Sequence, residues 1–264
     1  MTAPARFPAG TFTPAPGAGS RWRMLLTHAR VETSLTLRHG EQILLTLLIP
    51  LALLIGLTLL DVLPTGDLDG VSKVDWLTPR IFALAVMSSA FTGQAIALGF
   101  DRRYGVLKRL SATAIPRWLL VAGRIVAALV VVLLQVLVLG VVAALLGWTP
   151  SAAGIAAAVV LLVLGTLGFG ALGVLLGGSL RAEAVLALAN IVWFVLLLAG
   201  GILLAPSTLP PGAATVVELL PSGALAEGLR AALVDGHFAP GPVAVLAGWT
   251  VIGAAVAAKT TKLT

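Results

Sequence analysis

The sequence predicts an all-α integral membrane protein with six transmembrane helices. Of its 264 residues, 59% are apolar and only 11% are charged. Residues 125–180 contain no Asp, Glu, Lys or Arg. Because a transmembrane helix needs about 20 mostly apolar residues, this run alone is long enough for two spans, separated by a turn at residues 147–150.

The chain is expected to form one membrane domain over residues 21–264, preceded by a flexible cytoplasmic tail at residues 1–20. The tail is rich in Pro, Ala, Gly and Thr, a composition that cannot offset the entropy of ordering. The tail is not expected to be a cleaved signal peptide, because the first apolar run begins only at Ile43 and is long enough to stay in the bilayer. Hydropathy places the spans at approximately residues 43–60, 81–100, 119–146, 152–180, 185–205 and 241–258.

The distribution of charge predicts the orientation of the chain. With the N-terminus inside, the external segments hold only three of the 17 Lys and Arg residues, namely Lys73, Arg80 and Arg230. Most acidic residues lie in those external segments. Cytoplasmic segments of membrane proteins carry the excess of Lys and Arg, so both termini are expected in the cytoplasm. The net charge of +6 therefore reflects the topology of the chain rather than binding to nucleic acid. The expected location of this multi-pass protein is the plasma membrane, namely the bacterial cytoplasmic membrane.

Residues 21–40, before the first span, combine apolar and basic side chains. The pattern is typical of an amphipathic helix that lies along the cytoplasmic face, with its Arg residues near anionic lipid. The alternative is a solvated basic run that only fixes topology. The residues concerned are Trp22, Leu25, Leu26, Ala29, Leu35 and Leu37, together with Arg21, Arg23, Arg30 and Arg38.

The stretch from Asp101 to Arg124 holds six of the 17 Lys and Arg residues between two uncharged segments. Gly105 permits a sharp turn of the backbone, and residues 106–113 are predicted to form a short helix with Lys108 and Arg109 facing the cytoplasm. A short helix carried by two spans is a surface on which a soluble motor protein could push. The alternative is that these cations are orientation signals alone.

The sequence indicates no energy source of its own. Ion-coupled transporters place ionisable groups inside the bilayer, and the predicted span interiors contain none. The nucleotide-binding pattern GxxxxGK[ST] is absent. With no Cys and three scattered His residues, neither a metal site nor catalytic residues are expected. A partner must therefore supply the energy.

Polar residues at membrane depth are candidates for a transport pathway. These are Gln94, Gln135 and Asn190, although such side chains more often form hydrogen bonds between helices. Five Gly residues in the fourth predicted span indicate close helix packing, within one subunit rather than between subunits. They are Gly165, Gly168, Gly170, Gly173 and Gly177.

An external segment at residues 209–236 is predicted to form two short helices. Pro211 is suited to start the first helix and Pro221 the second, which Gly236 ends. Such a broken, partly apolar segment can dip into the membrane only where protein shelters its backbone. Its candidate gate residues are Glu218, Pro221, Glu227 and Arg230, and the alternative is that its charges are solvated or paired.

The segment after the second span resembles the cytoplasmic coupling segment of ABC-2 type transporter permeases, the membrane subunits of ATP-driven exporters. Three positions depart from the family pattern: Val106 replaces Thr, Lys108 replaces Glu, and Ala114 replaces Pro. The Lys108 change reverses a charge, which implies an unusual partner surface. The matching residues are Asp101, Arg102, Arg103, Gly105, Leu107, Leu110, Thr113 and Arg124. The external segment also resembles that family, through Leu209-Pro210-Pro211, Pro221, Glu227, Leu229-Arg230 and Gly236.

The resemblance, from about Leu25 to the C-terminus, implies a permease subunit that exports a drug or glycolipid. The chain itself would hold no cofactor, whereas two cytoplasmic ATPase subunits would hold ATP and Mg, and a second permease subunit would complete a homodimer or heterodimer. Alternatives are a polysaccharide exporter and a non-transporting assembly subunit. The residues implied to contact the ATPase subunit are Asp101, Arg102, Arg103, Tyr104, Gly105, Val106, Leu107, Lys108, Arg109, Leu110 and Thr113.

Overall fold

A computed structural model describes residues 19–38, 40–60, 70–112, 115–204 and 206–260, and these ranges contain helices and no strand. Most of the predicted tail, residues 1–18, and the predicted coupling residue Thr113 lie outside the described residues. The helices are α1 (Arg21–Arg38), α2 (Gly40–Leu59), α3 (Lys73–Val86), a π-helical segment (Met87–Gly93), α4 (Gln94–Arg103), α5 (Val106–Ser111), α6 (Arg117–Leu145), α7 (Ile155–Ser179), α8 (Ala182–Ala199), α9 (Pro211–Leu219), α10 (Pro221–Leu233) and α11 (Pro240–Thr260), with short 3₁₀ turns at Ala152–Gly154 and Pro206–Thr208.

Five helical stretches of the described chain are long and apolar enough to cross a membrane. They correspond to the second to sixth predicted spans and comprise Lys73–Arg103, Trp118–Leu145, Ala152–Ser179, Ala182–Ala199 and Pro240–Thr260. The first predicted span, residues 43–60, falls on α2, where the apolar stretch found is Thr46–Leu59, shorter than a full span. The all-helical membrane fold is therefore confirmed, while the count of six spans and the side of the termini stay predictions.

The second span begins earlier than predicted, at Lys73 instead of residue 81. Ser72 starts the helix, because its hydroxyl accepts a hydrogen bond from the backbone N–H of Asp75 at 3.2 Å, and an acidic side chain in the first turn suits the helix dipole. As a result Arg80, expected outside, lies within the helix and is 1% exposed. Arg80 is therefore buried within the protein, while its position relative to the bilayer stays a prediction.

The centre of the molecule is α7, which packs on α4, α10, α11 and the π-helical segment. Its Gly residues allow this close contact: a Cβ added at Gly173 would lie 2.8 Å from the carbonyl oxygen of Phe91, and one at Gly177 would lie 2.4 Å from that of Ala95. The Gly-rich face of this helix therefore serves packing within the subunit, as predicted.

Helix α1 lies beside α6 and has two different faces. His28 and Ala29 are buried, and His28 sits against Gly123, where an added Cβ would approach the imidazole Cδ2 to 2.2 Å. On the other face Trp22 is 71% exposed and Leu26 is 62% exposed. An exposed apolar face beside basic residues is what an interfacial helix requires.

The external segment forms α9 and α10, each beginning with the predicted Pro residue at its first position. Helix α10 ends at Leu233, three residues before the predicted Gly236. It is buried along almost its whole length and packs against α3, α7 and α11. The structure thus supplies the protein shelter that a re-entrant segment needs, although entry into the bilayer itself stays a prediction.

Candidate functional site

Helix α5, at the end of the second span, forms the centre of the candidate coupling site. The chain turns at Gly105, whose φ of 69° lies in the left-handed region that a residue without a Cβ adopts at low cost. Leu107 is 3% exposed and packs in a small apolar cluster with Leu98, Val174 and Ala257. Lys108 and Arg109 are exposed. One side of α5 is therefore held by apolar contact, and a basic surface remains accessible.

Asp101, one turn before α5, connects α4 to α6. Its carboxylate forms an ion pair with Arg124, which also lies 3.9 Å from the Glu32 carboxylate of α1. Glu32 in turn lies 3.7 Å from the His28 imidazole, which contacts the carbonyl oxygen of Leu120 at 3.3 Å. Helices α1, α4 and α6 are thus joined by one polar cluster at their adjoining ends.

Arg102 connects α4 to the end of α7. Its Nη1 donates to the carbonyl oxygens of Gly177 at 3.0 Å and Leu180 at 3.1 Å. The last carbonyls of a helix have no partner within the helix, and a cation there also suits the helix dipole. This one side chain therefore satisfies the end of the central helix.

Arg103 connects α4 to α8 through an ion pair with Glu183, in the first turn of α8. Both side chains are more than half exposed, with 51% and 65% of their surface accessible, so the pair contributes little to stability. It adds one contact between the end of α4 and the start of α8, two helices that already pack together.

Three consecutive residues assigned from sequence to the ATPase contact, Asp101 to Arg103, thus bond within the subunit. Sequence reasoning missed Glu183, the partner of Arg103, and Glu32, which lies near Arg124. It placed a turn between the fourth and fifth spans but did not assign that turn, residues 180–181 between α7 and α8, to the site. The signal available for that turn was Arg181, the first charged residue after the long uncharged run.

A cleft of about 410 Å³ separates α5 from the α7–α8 turn. Arg181 is exposed at this cleft and forms the N-cap position of α8. Four cations and one carboxylate line the cleft together with apolar side chains. The lining residues are Gly99, Arg102, Arg103, Leu107, Lys108, Ser179, Leu180, Arg181, Ala182 and Glu183.

The candidate pathway residues do not come together into a site. Gln135 is 1% exposed; its Oε1 accepts from the Ser89 hydroxyl at 2.7 Å and its Nε2 donates to Thr46 at 3.1 Å. Asn190 is exposed and donates to the Leu186 carbonyl of its own helix at 2.8 Å. Gln94 is half-buried on a third helix. Gln135 therefore joins helices, as the alternative interpretation held.

The buried polar contacts at membrane depth centre on the π-helical segment. Besides the Ser89 contact with Gln135, Ser88 accepts a hydrogen bond from the indole N–H of Trp193 at 2.9 Å. The segment is thereby tied to α6 and α8, and through Gln135 also to Thr46 of α2. Since π-helical turns occur often at functional sites, this segment is a candidate point of bending in the second span.

The charges of α3 and α10 form a connected network around Arg80. Its Nη2 lies 2.6 Å from Glu227 Oε1, its Nη1 donates to the Trp76 carbonyl at 3.1 Å, and its guanidinium lies 4.0 Å from the Trp76 ring centroid. Glu227 also pairs with Arg230 at 2.9 Å, and Arg230 pairs with Asp235 at 2.9 Å. This network fixes α10 to α3.

The two predicted gate residues Glu227 and Arg230 are thus paired, as the alternative reading held. Burial alone would lower the pKa of the Arg230 guanidinium, but hydrogen bonds and charge from Glu227 and Asp235 raise it. Glu218 is exposed at the end of α9, and Pro221 starts α10. Whether any of them gates a pathway stays a prediction. Within the described ranges, no cluster of three His, Asp or Glu residues is suited to a metal ion.

Comparison with known proteins gives one family match. No curated protein matches the chain significantly. The family model described as ABC-2 type transporter matches residues 22–234, from the second residue of α1 to one residue beyond α10. The match covers most of the chain, including the coupling segment and all but the last two residues of the external segment. Together with the helical membrane fold, it shows that the chain belongs to the ABC-2 type transporter family.

Proposed function

We propose that this chain is the permease subunit of an ATP-driven exporter that moves an amphipathic or lipid-like molecule out of the cytoplasm or inner leaflet. Membrane domains of this family generally work with a separate ATP-binding subunit. In the proposed complex, two permease subunits form the pathway in the bacterial cytoplasmic membrane. Two ATPase subunits bind ATP and Mg and act on α5.

The observation that carries the proposal is the attachment of α5 to the rest of the molecule. Asp101, Arg102 and Arg103 connect the preceding helix to α6, α7 and α8, respectively. Energetic coupling over distance requires packed elements that move together. A displacement of α5 would therefore reach most of the membrane domain, whereas an assembly subunit has no need of such an arrangement.

The nature of the cargo is inferred from the side chains that the helices offer. Gln135, Ser88 and Ser89 already bond within the chain, while α8 exposes large apolar residues such as Phe194 and Leu198. A pathway between two copies would then have mainly apolar walls, which suit a drug or glycolipid better than a polysaccharide. A polysaccharide needs many hydrogen-bonding groups along its path.

The first test is ATP hydrolysis by this chain and its ATP-binding subunit, purified together and placed in lipid nanodiscs. The variant carrying Lys108→Glu and Arg109→Glu is expected either to lose binding of the ATP-binding subunit or to bind it without stimulated ATP hydrolysis. The matched control is Lys259→Glu, an exposed cation at the end of α11, which should behave like the wild type. Unchanged hydrolysis in the double variant would contradict the role of α5.

A second test addresses the cargo directly. In proteoliposomes, ATP should move a short-chain fluorescent phospholipid between leaflets, as measured by its accessibility to dithionite. Coupled hydrolysis without lipid movement would favour the polysaccharide alternative. Absence of any coupling to the ATP-binding subunit would favour the assembly-subunit alternative.

A further inference from the structure

The cleft between α5 and the α7–α8 turn offers a second contact surface that the coupling helix alone does not provide. We propose that this basic cleft, lined by Arg102, Arg103, Lys108 and Arg181, receives an acidic segment of the ATP-binding subunit. The inference rests on the proposed function and adds the chemical character of the partner surface. The contact would then involve two separate elements of the membrane domain.

The charge of the cleft favours an acidic occupant. Four cations face one carboxylate, that of Glu183. Glu183 pairs with Arg103, and Arg102 donates to backbone carbonyls and therefore keeps its full positive charge. Lys108 and Arg181 are exposed on opposite walls. Surfaces that associate are arranged so that positive potential meets negative potential, so the partner should present carboxylates.

The shape of the cleft is suited to a short protein segment. Its volume of about 410 Å³ admits several side chains, and its lining includes Gly99 and Leu107 as well as the cations. Arg181 precedes the first turn of α8, whose free backbone N–H groups also favour negative charge. A carboxylate in the cleft would thus be attracted by both walls.

The position of the cations favours a protein over an anionic lipid headgroup. Lys108 lies on α5 beside the exposed Arg109, so the positive surface continues from the cleft onto the outer face of the short helix. A headgroup needs only one cluster of cations at the membrane surface, whereas a subunit that engages α5 would cover both parts. The same geometry explains why a Lys stands at position 108, since it extends the positive wall of the cleft.

The test uses a carbodiimide, which joins a Lys amine to a carboxylate without a spacer and does not react with Arg. In the complex with the ATP-binding subunit, Lys108 should crosslink to Asp or Glu of that subunit, as identified by mass spectrometry. Lys108→Arg should abolish this crosslink while keeping the charge. Arg181→Lys should add a crosslink to the same acidic stretch of the partner.

Affinity provides an independent measurement. Arg181→Glu replaces attraction by repulsion and should weaken binding of the ATP-binding subunit on the order of tenfold at low salt. The difference should shrink as salt screens the exposed charges. Lys259→Glu is the matched control and should bind as the wild type does. Thermal unfolding of each variant in nanodiscs confirms that it is folded.

Three outcomes would overturn the inference, each in a different way. If the complexes form, but neither the wild type nor Arg181→Lys gives its expected crosslink and Arg181→Glu binds normally, the cleft is not the contact, and the proposed function stands. If the wild type binds no ATP-binding subunit, the proposed function fails as well. Arg181→Glu could instead leave binding of the ATP-binding subunit unchanged and lower only the preference of the permease for phosphatidylglycerol over phosphatidylcholine in nanodiscs. In that case the cleft is a lipid headgroup site.

Discussion

Glu227→Gln tests the external network, because it removes the charge that faces the buried Arg80. Arg80 is 1% exposed and Glu227 is 23% exposed. Removing one partner of a buried ion pair costs roughly 3–5 kcal/mol. Water reaches Glu227 and the Gln oxygen still accepts one hydrogen bond, so the lower end, about 3 kcal/mol, is expected here. At roughly 2–4 °C per kcal/mol for a chain of this size, Tm should fall by about 6–12 °C.

The assay is thermal unfolding of purified subunits in nanodiscs, with Glu218→Gln as the matched control. Glu218 is exposed, so its substitution should change stability by less than about 0.5 kcal/mol. The double variant Arg80→Met, Glu227→Gln removes the uncompensated cation and should recover part of the lost stability. The reasoning is refuted if Glu227→Gln unfolds within 2 °C of wild type, a change of roughly 1 kcal/mol or less. It is also refuted if the double variant is less stable than the single one.

Three further predictions concern packing and coupling. Gly177→Ala should destabilise the subunit by about 1–3 kcal/mol in thermal unfolding, because the new Cβ would lie 2.4 Å from a backbone oxygen. Gly170→Ala is the control and should not destabilise the subunit, because its new Cβ would lie 3.9 Å from the nearest atom. Gln135→Leu breaks two interhelical hydrogen bonds and should cost about 1–2 kcal/mol, whereas Asn190→Leu should leave unfolding unchanged. Because Arg102 also lines the cleft, Arg102→Ala is measured at a saturating concentration of the ATP-binding subunit. Under that condition it should reduce stimulated hydrolysis roughly 2- to 30-fold, the range of a coupling change of about 0.5–2 kcal/mol.

Each of these predictions has a result that contradicts it. Equal unfolding temperatures for Gly177→Ala and Gly170→Ala would show that α7 can move away from α4 at no cost. If the Gln135→Leu subunit is as stable as the wild type but no longer moves lipid between leaflets, the result would support a role of Gln135 in the transport pathway. Normal stimulated hydrolysis in Arg102→Ala, with binding intact, would show that its contact with the end of α7 transmits nothing.

Much of the coupling site was predictable because its signals are local. A cluster of cations between uncharged segments and a Gly at the turn indicate a short helix at the end of a span, and α5 begins at the expected residue. The roles of the individual charged residues were not predictable. Asp101 and Lys108 belong to one charged run, yet Asp101 pairs with Arg124, 23 positions later, whereas Lys108 is exposed at the cleft. Such distant partners leave no local pattern.

The external segment shows the same limit. Pro211 and Pro221 start α9 and α10 as expected, since a Pro at the first helical position is a local preference. The partner of Arg80 was not predictable, because Glu227 lies 147 residues away in the sequence. Hydropathy also counted Arg80 as external, since a charge lowers the window average regardless of whether it is paired.

The sequence by itself determined that this protein is a helical membrane protein, and it also determined its family. Long uncharged runs and local motifs can be recognised without knowledge of the tertiary contacts. The tertiary structure alone decided which charges hold the subunit together and which remain exposed. It also decided that Gly173 and Gly177 of α7 face backbone carbonyls and that the basic cleft exists. The physical reason is that helix formation depends on neighbouring residues in the chain, whereas burial, ion pairing and clefts depend on which helices lie side by side.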